Sequence, residues 1–397
     1  MNTMKKTLVF LTLFTAFLYT GCKKDKDVAP TQATITLLNP DNLTGVTIVN
    51  ATITAKETNT ATVTTIQNVK SNTVPLSLVA GSYDISVEGE INYTLDGTTK
   101  TIKVKGLKQS QVVVGATAGV DVQLYIYNDA ANFVIKEIFY TGTVTPEGKT
   151  YNGDKYVIIH NNSDKVLYAD GLAFAESDFL TTTKRAYTPD VMADAFTTKT
   201  IIIVPGNGTD YPIQPGESFT IANNAINHLE GNANSLDLRS AKFEVELLPS
   251  INVDNPQVPN TINVSAFLTM HNRGFKSYVL ARLNKTPDQF KAEQAYSYDY
   301  TNSAGNITTT NSFKIKNSDV LDAVNLSVQS MFEWIVTSPA LDMGWTYCGK
   351  VDSDATRFGK SVIRKVLSTT PDGRVIYKDT NNSTVDFNPE SVPSLKK

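Results

Sequence analysis

The feature that most constrains the fold of this chain is the alternation of apolar residues with threonine and other polar residues in short segments. Residues 33–38, 46–49, 51–55 and 61–66 follow this pattern, and similar segments recur towards the C-terminus. A period of two puts every second side chain on the same face of a strand, which β-branched residues favour. Turn-forming Gly, Asn and Pro separate the segments. The sequence therefore predicts an all-β protein of tandem Ig-like β-sandwiches.

The clearest local phrase is VPLSLVAGSYDISVEG at residues 74–89. It predicts a strand, a tight turn at Gly81 and a second strand that completes a hairpin. Residues 111–114 and 120–126 would supply the closing strands. The phrase resembles the hairpin of carboxypeptidase-regulatory and transthyretin-like β-sandwiches. We therefore expect a small N-terminal sandwich over residues 31–128, with a domain boundary near Asn128.

Residues 129–397 predict a larger β-rich domain with few short helices. The predicted strands are residues 133–140, 155–164, 166–174, 200–204, 217–222, 241–248, 262–268 and 277–283. A short helix is predicted over residues 286–295, with Thr286 as N-cap and Pro287 in the first turn. The Thr-Pro-Asp-Gly turn at residues 370–373 predicts a hairpin between residues 359–367 and 375–378. Residues 155–163 and the Pro-Gly turn at 212–216 together resemble a lamin-tail type of Ig-like sandwich.

The N-terminus carries the pattern of a bacterial lipoprotein signal. Lys5 and Lys6 precede an apolar core at residues 7–19, and Gly21 precedes Cys22. The segment resembles a lipobox, although Tyr19 stands where Leu is usual. This resemblance implies a signal peptide over residues 1–21 and lipidation of Cys22, which would anchor the chain to the membrane. An ordinary cleaved signal is the alternative.

Residues 22–30 form a charged tether that is too polar to pack. Its KKDKD run resembles the surface-export signals of Bacteroidota lipoproteins, and a plain solvated linker is the alternative. We therefore expect an outer-membrane, lipid-anchored protein that is exposed at the cell surface. A second apolar run of the length that spans a membrane is not present, so lipid would be the sole anchor.

Charge and length limit the possible functions. The chain has 36 Lys and Arg against 39 Asp and Glu, a net charge of −3, and loss of Lys5 and Lys6 with the signal makes it −5. A mildly acidic chain without basic patches is a poor candidate for binding nucleic acid. The length is sufficient for two or three domains with their own cores.

The cysteines and histidines do not indicate a catalytic thiol or a transition-metal site. Lipidation of Cys22 would leave Cys348 without a disulfide partner, and its aromatic surroundings are typical of a buried thiol. Nucleophilic catalysis needs a base beside the thiol, and His160, His228 and His271 are all distant in sequence. They also lack the paired spacing of a transition-metal site.

Two sets of acidic residues are candidates for a structural calcium site, and we otherwise expect no cofactor. Asp352 and Asp354 have the i, i+2 spacing that recurs in calcium loops, although the Gly and Glu of an EF-hand are missing. Asp164, Asp170 and Asp210 form a second set. Surface aspartates in turns are the competing interpretation of both sets.

The Gly-Lys-Ser phrase at residues 359–361 copies the end of a phosphate-binding loop, but Asp354 stands where the first glycine is needed. We interpret residues 359–367 as a strand whose Lys360, Arg364 and Lys365 face solvent. Hydrolase motifs are absent, so catalysis is not predicted, although glycosidase carboxylates leave no local motif. Aromatic loops at residues 139–151, 179–187 and 296–300 are candidate binding surfaces, with a structural role in capping the cores as the alternative.

Four phrases resemble the Bacteroidota surface lipoproteins of the domain-of-unknown-function family 4876. They lie at residues 162–172, 254–260, 357–365 and 379–387, and the resemblance extends over about residues 30–395. It implies a β-rich surface protein and brings no catalytic residues. We expect a binding or accessory lipoprotein that partners a TonB-dependent outer-membrane transporter. A structural or adhesive surface protein of Ig-like modules is the alternative, and a hydrolase is a third.

Overall fold

The computed structural model describes residues 30–40, 43–95, 98–126, 132–246 and 253–396. Within these ranges strands dominate and the helices are short. Buried and exposed side chains alternate along the first strand, from Thr31 to Leu38, as the sequence pattern predicts. The all-β fold class is confirmed. The predicted signal peptide, Cys22 and all of the tether except Pro30 lie outside the described residues.

The N-terminal unit, residues 30–126, is a sandwich with its own core. Its strands are β1 (Thr31–Leu38), β2 (Thr44–Glu57), β3 (Val63–Val69), β4 (Thr73–Leu78), β5 (Gly81–Leu95), β6 (Thr98–Val113) and β7 (Thr117–Ile126). Within the described residues they pair in the order β3-β2-β5-β6-β7-β1-β4. Ile35, Ile53, Ile85 and Val122 are fully buried in the core between the two halves of this sheet. Each such side chain contributes about 1.5–3 kcal/mol.

The strands on either side of Gly81 do not pair with each other, so the hairpin predicted at residues 74–89 is wrong. β4 pairs with β1, whereas β5 lies between β2 and β6. Leu76 of β4 and Ile85 of β5 nevertheless enter the same core. The alternation of apolar and polar residues shows only which side chains point inwards. It is therefore compatible both with a hairpin and with two strands that lie in opposite layers of a sandwich. The closing strands predicted near residues 111–114 and 120–126 are confirmed as the end of β6 and as β7.

The C-terminal unit, residues 132–396, begins with a long series of strands. They are β8 (Phe133–Phe139), β9 (Thr143–Val144), β10 (Thr150–Tyr151), β11 (Tyr156–Asn161), β12 (Leu167–Tyr168), β13 (Leu172–Ser177), β14 (Tyr187–Thr188), β15 (Ala195–Ile203), β16 (Pro212–Ile213), β17 (Ser218–Ala222), β18 (Phe243–Glu244) and β19 (Ile262–Asn263).

Among the described residues of this unit, the two α-helices lie in its later part, between strands. The later elements are β20 (Ser277–Arg282), α1 (Pro287–Gln294), β21 (Ala295–Thr301), β22 (Ile307–Lys316), β23 (Val320–Asn325), β24 (Ser361–Arg364), β25 (Val366–Thr369), β26 (Val375–Tyr377), α2 (Ser383–Asp386) and β27 (Phe387–Ser391). Short 3-10 turns lie at His228–Glu230, Asn317–Asp319 and Ala355–Arg357.

Two larger sheets form the C-terminal sandwich. Within the described residues their orders are β18-β17-β11-β8-β24-β27 and β14-β21-β22-β15-β13-β20-β23, with β19 also pairing to β15. Ile159 of β11 and Phe174 of β13 meet in the core between them. Further apolar clusters cover the outer faces, with Ile158 on one side and Ile201 on the other. Every residue of β11 is therefore buried, which explains its continuous apolar run.

Several predicted strands are confirmed and others are shorter than predicted. The segment at residues 166–174 breaks into β12 and β13 around Asp170 and Gly171, where φ of Gly171 is +70°. The segments at 241–248 and 262–268 shrink to β18 and β19, and residues 247–248 lie outside the description. The strands β21, β22 and β23 were not predicted.

The predicted helix is confirmed. The C-terminal hairpin is confirmed with a different first arm, because β24 (Ser361–Arg364) pairs with β8 and β27 and only β25 pairs with β26. Thr286 caps α1 by accepting from the Gln289 backbone N–H, and the Gln289 side chain accepts from the Thr286 N–H at 2.9 Å. This reciprocal capping box stabilises a helix by about 1 kcal/mol. β25 and β26 flank the turn at residues 370–373, which closes with a Thr370 N–H to Arg374 O bond of 2.9 Å.

Candidate ligand-binding cleft

Polar side chains of β6 join the two units. Gln109 Oε1 accepts a hydrogen bond of 3.2 Å from the backbone N–H of Ile335. Lys105 is 1% exposed and its Nζ lies 3.6 Å from Glu88. Burial lowers the pKa of Lys105, while Glu88 and, from the C-terminal unit, Asp386 oppose that shift. The boundary predicted near Asn128 falls in residues 127–131, outside the described residues, and stays a prediction.

A cavity of about 530 Å³ lies between the units, and we name it the first lobe. Its N-terminal wall is made by Pro40, Gln123, Leu124, Tyr125 and Ile126. Its C-terminal wall includes Asn132, Ala193, Asp194, Asn317, Asp322 and Leu341. Pockets for small ligands are typically about 300–1,000 Å³ and concentrate at domain interfaces. The first lobe satisfies both conditions.

A second cavity, of about 490 Å³, adjoins the first, and we name it the second lobe. Its lining includes Asp190, Val191, Gln294, Lys314 and Lys316. The two lobes share Ala193, Asp194, Asn317 and Ser318. The lobes therefore lie next to the same short segments, and we refer to them together as the groove.

Asn317 fixes the wall that the lobes share. It opens the 3-10 turn between β22 and β23, and its backbone N–H donates to Asp194 O at 2.8 Å. Its side-chain Nδ2 donates to the carbonyls of Met192 at 3.1 Å and Ala193 at 2.9 Å. Three hydrogen bonds to one loop hold the shared wall in place before any ligand binds, which reduces the entropy lost on binding.

A buried ion pair supports the floor of the first lobe. Arg364 Nη2 lies 2.5 Å from Asp322 Oδ2, and Arg364 Nε donates to Ile135 O at 2.9 Å. Asp379 at 3.2 Å and Asp386 at 3.8 Å complete the carboxylates around the guanidinium. Burial raises the pKa of Asp322, and Arg364 opposes this shift. Burial lowers the pKa of Arg364, but the three carboxylates outweigh it and hold that pKa above its ordinary value.

Asp342 fixes the loop that closes the first lobe over Ala340 and Leu341. It is fully buried and accepts from Ser383 Oγ at 2.5 Å, from the Asn325 side chain at 2.9 Å and from the Gly344 N–H at 3.0 Å. Burial raises its pKa to about 6, although these donors oppose the shift. A carboxylate that accepts this many hydrogen bonds holds the segments that supply the donors close together.

Asp352 and Asp354 each interact with protein donors. Asp352 Oδ1 lies 2.8 Å from Arg273 Nη1. Asp354 caps the 3-10 turn at residues 355–357, accepting from the Lys350 N–H at 3.0 Å and the Thr356 N–H at 2.9 Å. These hydrogen bonds lower the pKa of Asp354 to about 2. The geometry is that of an N-cap, and the calcium site stays a prediction.

The second acidic set is only partly brought together. Asp170 Oδ1 accepts from the N–H groups of Gly208 at 3.1 Å and Asp210 at 2.8 Å, and its Oδ2 accepts from the Tyr211 N–H at 2.9 Å. Asp210 itself accepts from Asn207 in the same loop, and Asp164 is exposed. Asp170 therefore stabilises this loop through backbone donors.

Lys360, in the Gly-Lys-Ser phrase, lies just before β24, and the segment interpreted as one strand is divided into β24 and β25. Arg364 does not face solvent, so that expectation is wrong. Lys360 pairs with Glu390 at 3.3 Å, whereas the Arg364 side chain is 1% exposed. The prediction failed because the aspartates around Arg364 come from distant parts of the sequence.

Cys348 is fully buried, and burial raises its pKa to about 12, so the expected burial of this thiol is confirmed. His160 is also packed inside, with Nδ1 2.9 Å from Ser218 Oγ and Nε2 3.1 Å from Val375 O. Burial lowers the pKa of both His160 and His271 to about 4. Each imidazole is therefore neutral near pH 7.

A third histidine belongs to a polar cluster that was not predicted. Tyr151 Oη lies 2.7 Å from His228 Nδ1, and His228 Nε2 lies 2.9 Å from Asn224 O. Nε2 donates to the carbonyl, and burial lowers the pKa of His228, so the neutral ring accepts from Tyr151 at Nδ1. Asp154 nearby accepts from Ser235 Oγ at 2.6 Å, and burial raises its pKa. His228 is 1% exposed, so the cluster is structural.

The aromatic loops proposed as binding surfaces are largely core. Phe139 is fully buried, and Phe179 packs against Tyr187, Tyr298 and Trp334 in a cluster of their own. Residues 296–300 form part of β21, so the loop assignment there is wrong. Alternating tyrosines in a strand lie on one face, and here Tyr298 is buried while Tyr296 and Tyr300 are half-buried.

The described residues contain no helix long and apolar enough to cross a membrane. In those same ranges, no group of three or more His, Cys, Asp or Glu side chains is placed to bind a metal ion.

Comparison with known proteins identifies a fold relative. Residues 214–394 match the family model described as a protein of unknown function (DUF4876). The crystal structure of a DUF4876 family protein from Bacteroides thetaiotaomicron is similar over 92% of this chain and 98% of that chain, with 23% identity and a TM-score of 0.55. Both findings support the resemblance to this family. At this identity, the likeness of the structures indicates a shared fold.

Two further structures match weakly. A suggested cell adhesion protein from Bacteroides eggerthii has 12% identity and a TM-score of 0.19, covering 74% of this chain and 81% of that chain. The major pilin of Streptococcus pyogenes has 8% identity and a TM-score of 0.13, covering 73% of this chain and 93% of that one. These scores carry no argument about fold or function. No curated protein matches the chain.

Proposed function

We propose that this chain is a lipid-anchored surface protein that binds a small ligand in the groove between its two units. The observation that carries the proposal is the first lobe, about 530 Å³, with walls from β7 on one side and from β23 and the loop at residues 338–341 on the other. Buried hydrogen bonds and ion pairs hold the C-terminal wall, so the lobe is formed in advance of binding.

The proposed membrane attachment and partner rest on the sequence. The lipobox at Cys22 supports a lipid anchor, and the family resemblance supports a TonB-dependent transporter as the partner that receives the ligand. Recovery of such a transporter with the native protein from detergent-solubilised outer membrane tests this part. If no transporter is recovered, the proposed partner is wrong, whereas the proposal that the groove binds a ligand is unaffected.

A bulky substitution in the lining of the groove tests whether the groove binds the ligand. Ser318 is exposed and lines both lobes, so Ser318→Trp places an indole at the shared wall with little effect on folding. Ser303→Trp is the matched control, because Ser303 is exposed at the tip of the β21–β22 hairpin. The length of β22 (Ile307–Lys316) separates the two positions, which is about 30 Å at about 3.3 Å per strand residue.

The measurement is a thermal-shift screen of wild type and both variants against sugars, peptides, nucleosides and metal chelates. We expect at least one compound class to raise Tm of wild type and Ser303→Trp and not of Ser318→Trp. A structural or adhesive role predicts no compound that depends on the groove. That second outcome would overturn the proposed function.

A further inference from the structure

The N-terminal sandwich ends in a strand with a free edge. β3, at residues Val63–Val69, is the last strand at one end of its sheet, and within the described residues it pairs with β2 alone. The backbone N–H and C=O groups along its other side therefore have no strand partner in that part of the chain. An edge of this kind can take up a further strand through main-chain hydrogen bonds.

The strands at the other ends of the three large sheets are protected from such pairing. β4, at the opposite end of the same sheet, contains Pro75, and β27 contains Pro389. β14 and β18 have only two residues each, and the last four residues of β23 are buried. Proline, a short length and burial each hinder the pairing of an edge with another chain.

The first five residues of β3 lack these protections. Residues 63–67, Val-Thr-Thr-Ile-Gln, contain no proline, glycine or charged side chain, and most of them favour strands. The regular part of the strand ends there, because φ of Asn68 is +58° and the register with β2 shifts between Ile66 and Val69. The free edge is therefore a regular, uncharged segment of five residues.

The two faces of this segment differ. Val63, Thr65 and Gln67 are exposed, and Val63 is 55% exposed although it is apolar. Thr64 and Ile66 are half-buried, and Ile66 packs against the N-terminal core. A strand added to this edge must continue the same alternation, with one face towards solvent and the other towards a core.

The segment satisfies that condition when it pairs with itself. If two copies run antiparallel with Thr65 of each on a two-fold axis, Val63 lies opposite Gln67 and Thr64 lies opposite Ile66. Exposed residues then meet exposed residues, and half-buried residues meet half-buried ones. The pairing brings no two like charges together, and cross-strand pairs that include β-branched residues stabilise a sheet. Such an isologous contact closes at two copies.

We infer that β3 joins two copies of this chain into a dimer with a continuous antiparallel sheet across the two-fold axis. A different partner would need charges or pockets for its recognition, and residues 63–67 contain no charge. The match of the segment to itself supplies the specificity instead. The contact is separate from the groove, so the inference does not rest on the proposed function.

The dimer should be weak. Five paired residues from each copy bury far less than the roughly 1,600 Å² of a standard protein interface. We therefore expect a Kd on the order of 100 µM.

Sedimentation velocity over a range of concentrations tests the pairing on the mature chain with Cys22→Ser, which lacks the thiol expected to carry lipid. Thr65→Glu places two carboxylates opposite each other at the two-fold axis, and Thr65→Lys places two ammonium groups there. Thr65 is exposed, so both variants should fold. Thr34→Glu is the matched control, because Thr34 is exposed on β1, which lies between β4 and β7.

We expect the chain without a β3 substitution and Thr34→Glu to dimerise equally. Thr65→Glu alone and Thr65→Lys alone should dimerise about fivefold more weakly, because like charges directly opposite each other destabilise a strand pair. An equimolar mixture of the two variants should recover the dimer, since each Glu then lies opposite a Lys. Recovery on mixing also shows that neither variant lost the dimer by misfolding.

Three results would overturn the inference. The first is a chain that stays monomeric at about ten times the expected Kd. The second is a dimer that neither Thr65 variant weakens, which would place the contact elsewhere. The third is a dimer that both variants weaken and that the mixture does not recover.

Discussion

Arg364 and Asp322 form a buried ion pair with Nη2 2.5 Å from Oδ2, and their side chains are 1% and 3% exposed. The pair ties β24 to β23, and through the Ile135 backbone it also ties both to β8. It thus holds together β8, β23 and β24, and Asp322 of β23 also lines the first lobe. Removing one member of a buried pair is expensive because the other charge stays buried.

Arg364→Met should therefore destabilise the protein strongly. It would leave the Asp322, Asp379 and Asp386 carboxylates without their guanidinium, and we expect a loss of about 3–5 kcal/mol in urea denaturation. Arg239→Met is the control, since Arg239 is exposed and pairs with Asp237 two residues away, and it should change the unfolding midpoint little. Similar midpoints for the two variants would contradict the role assigned to Arg364.

The N-terminal unit should fold on its own. Its strands pair only among themselves within the described residues, and Ile35 and Ile85 belong to a separate core. Residues 30–126 produced alone should give a β-type circular dichroism spectrum and one cooperative unfolding transition. An unfolded or aggregated fragment would mean that burial of Lys105 and its neighbours against the C-terminal unit is required, and that the predicted boundary near Asn128 does not separate independent domains.

The neutral His160 makes stability depend on pH. Burial lowers its pKa from 6.5 to about 4, so between these values the unfolded chain binds a proton that the folded protein does not. Stability therefore falls as the pH drops from about 6.5 towards 4, by about 3 kcal/mol for this one group. His160→Gln should weaken that dependence. NMR titration of the imidazole measures the pKa directly, and a value near 6.5 would contradict the structure.

Cys22→Ser should release a folded protein from the membrane. If lipid on Cys22 is the only anchor, the variant will appear in the soluble fraction after cell breakage, while Cys348→Ala stays with the membrane. Fractionation followed by immunoblotting measures both. A Cys22→Ser variant that stays membrane-bound would show that a partner holds the protein there.

The sequence predicted the strands better than their pairing. Alternation located β1, β7 and β17, because each has one face in a core and the pattern records which face. The same alternation left the partner of β4 undetermined, and the tight turn at Gly81 suggested the wrong one. Strand β23 was missed although the Val-Leu-Asp-Ala-Val-Asn segment at residues 320–325 is strand-like, since a buried Asp interrupts its apolar run.

The groove could not be predicted from the sequence. Its walls combine Gln123, Asp194, Asn317 and Leu341, which are brought together only by long-range packing. The residues that support it were equally hidden, because Arg364 resembles a surface cation until its aspartates are located in space. Local motifs instead drew attention to Asp352 and Asp354, where short spacing reflects a capped turn.

The location of binding is the central claim, and methyl NMR of protein labelled at alanine tests it most directly. Ala193 lies in the wall shared by the lobes and Ala340 lines the first lobe, whereas Ala222 is fully buried in an outer core. Titration with a compound that stabilises wild type in the thermal-shift screen should shift the Ala193 and Ala340 methyl signals and leave the Ala222 signal unchanged. In Ser318→Trp the same compound should shift neither the Ala193 nor the Ala340 signal. Shifts confined to alanines outside the groove, or no shift with any probe, would contradict the account.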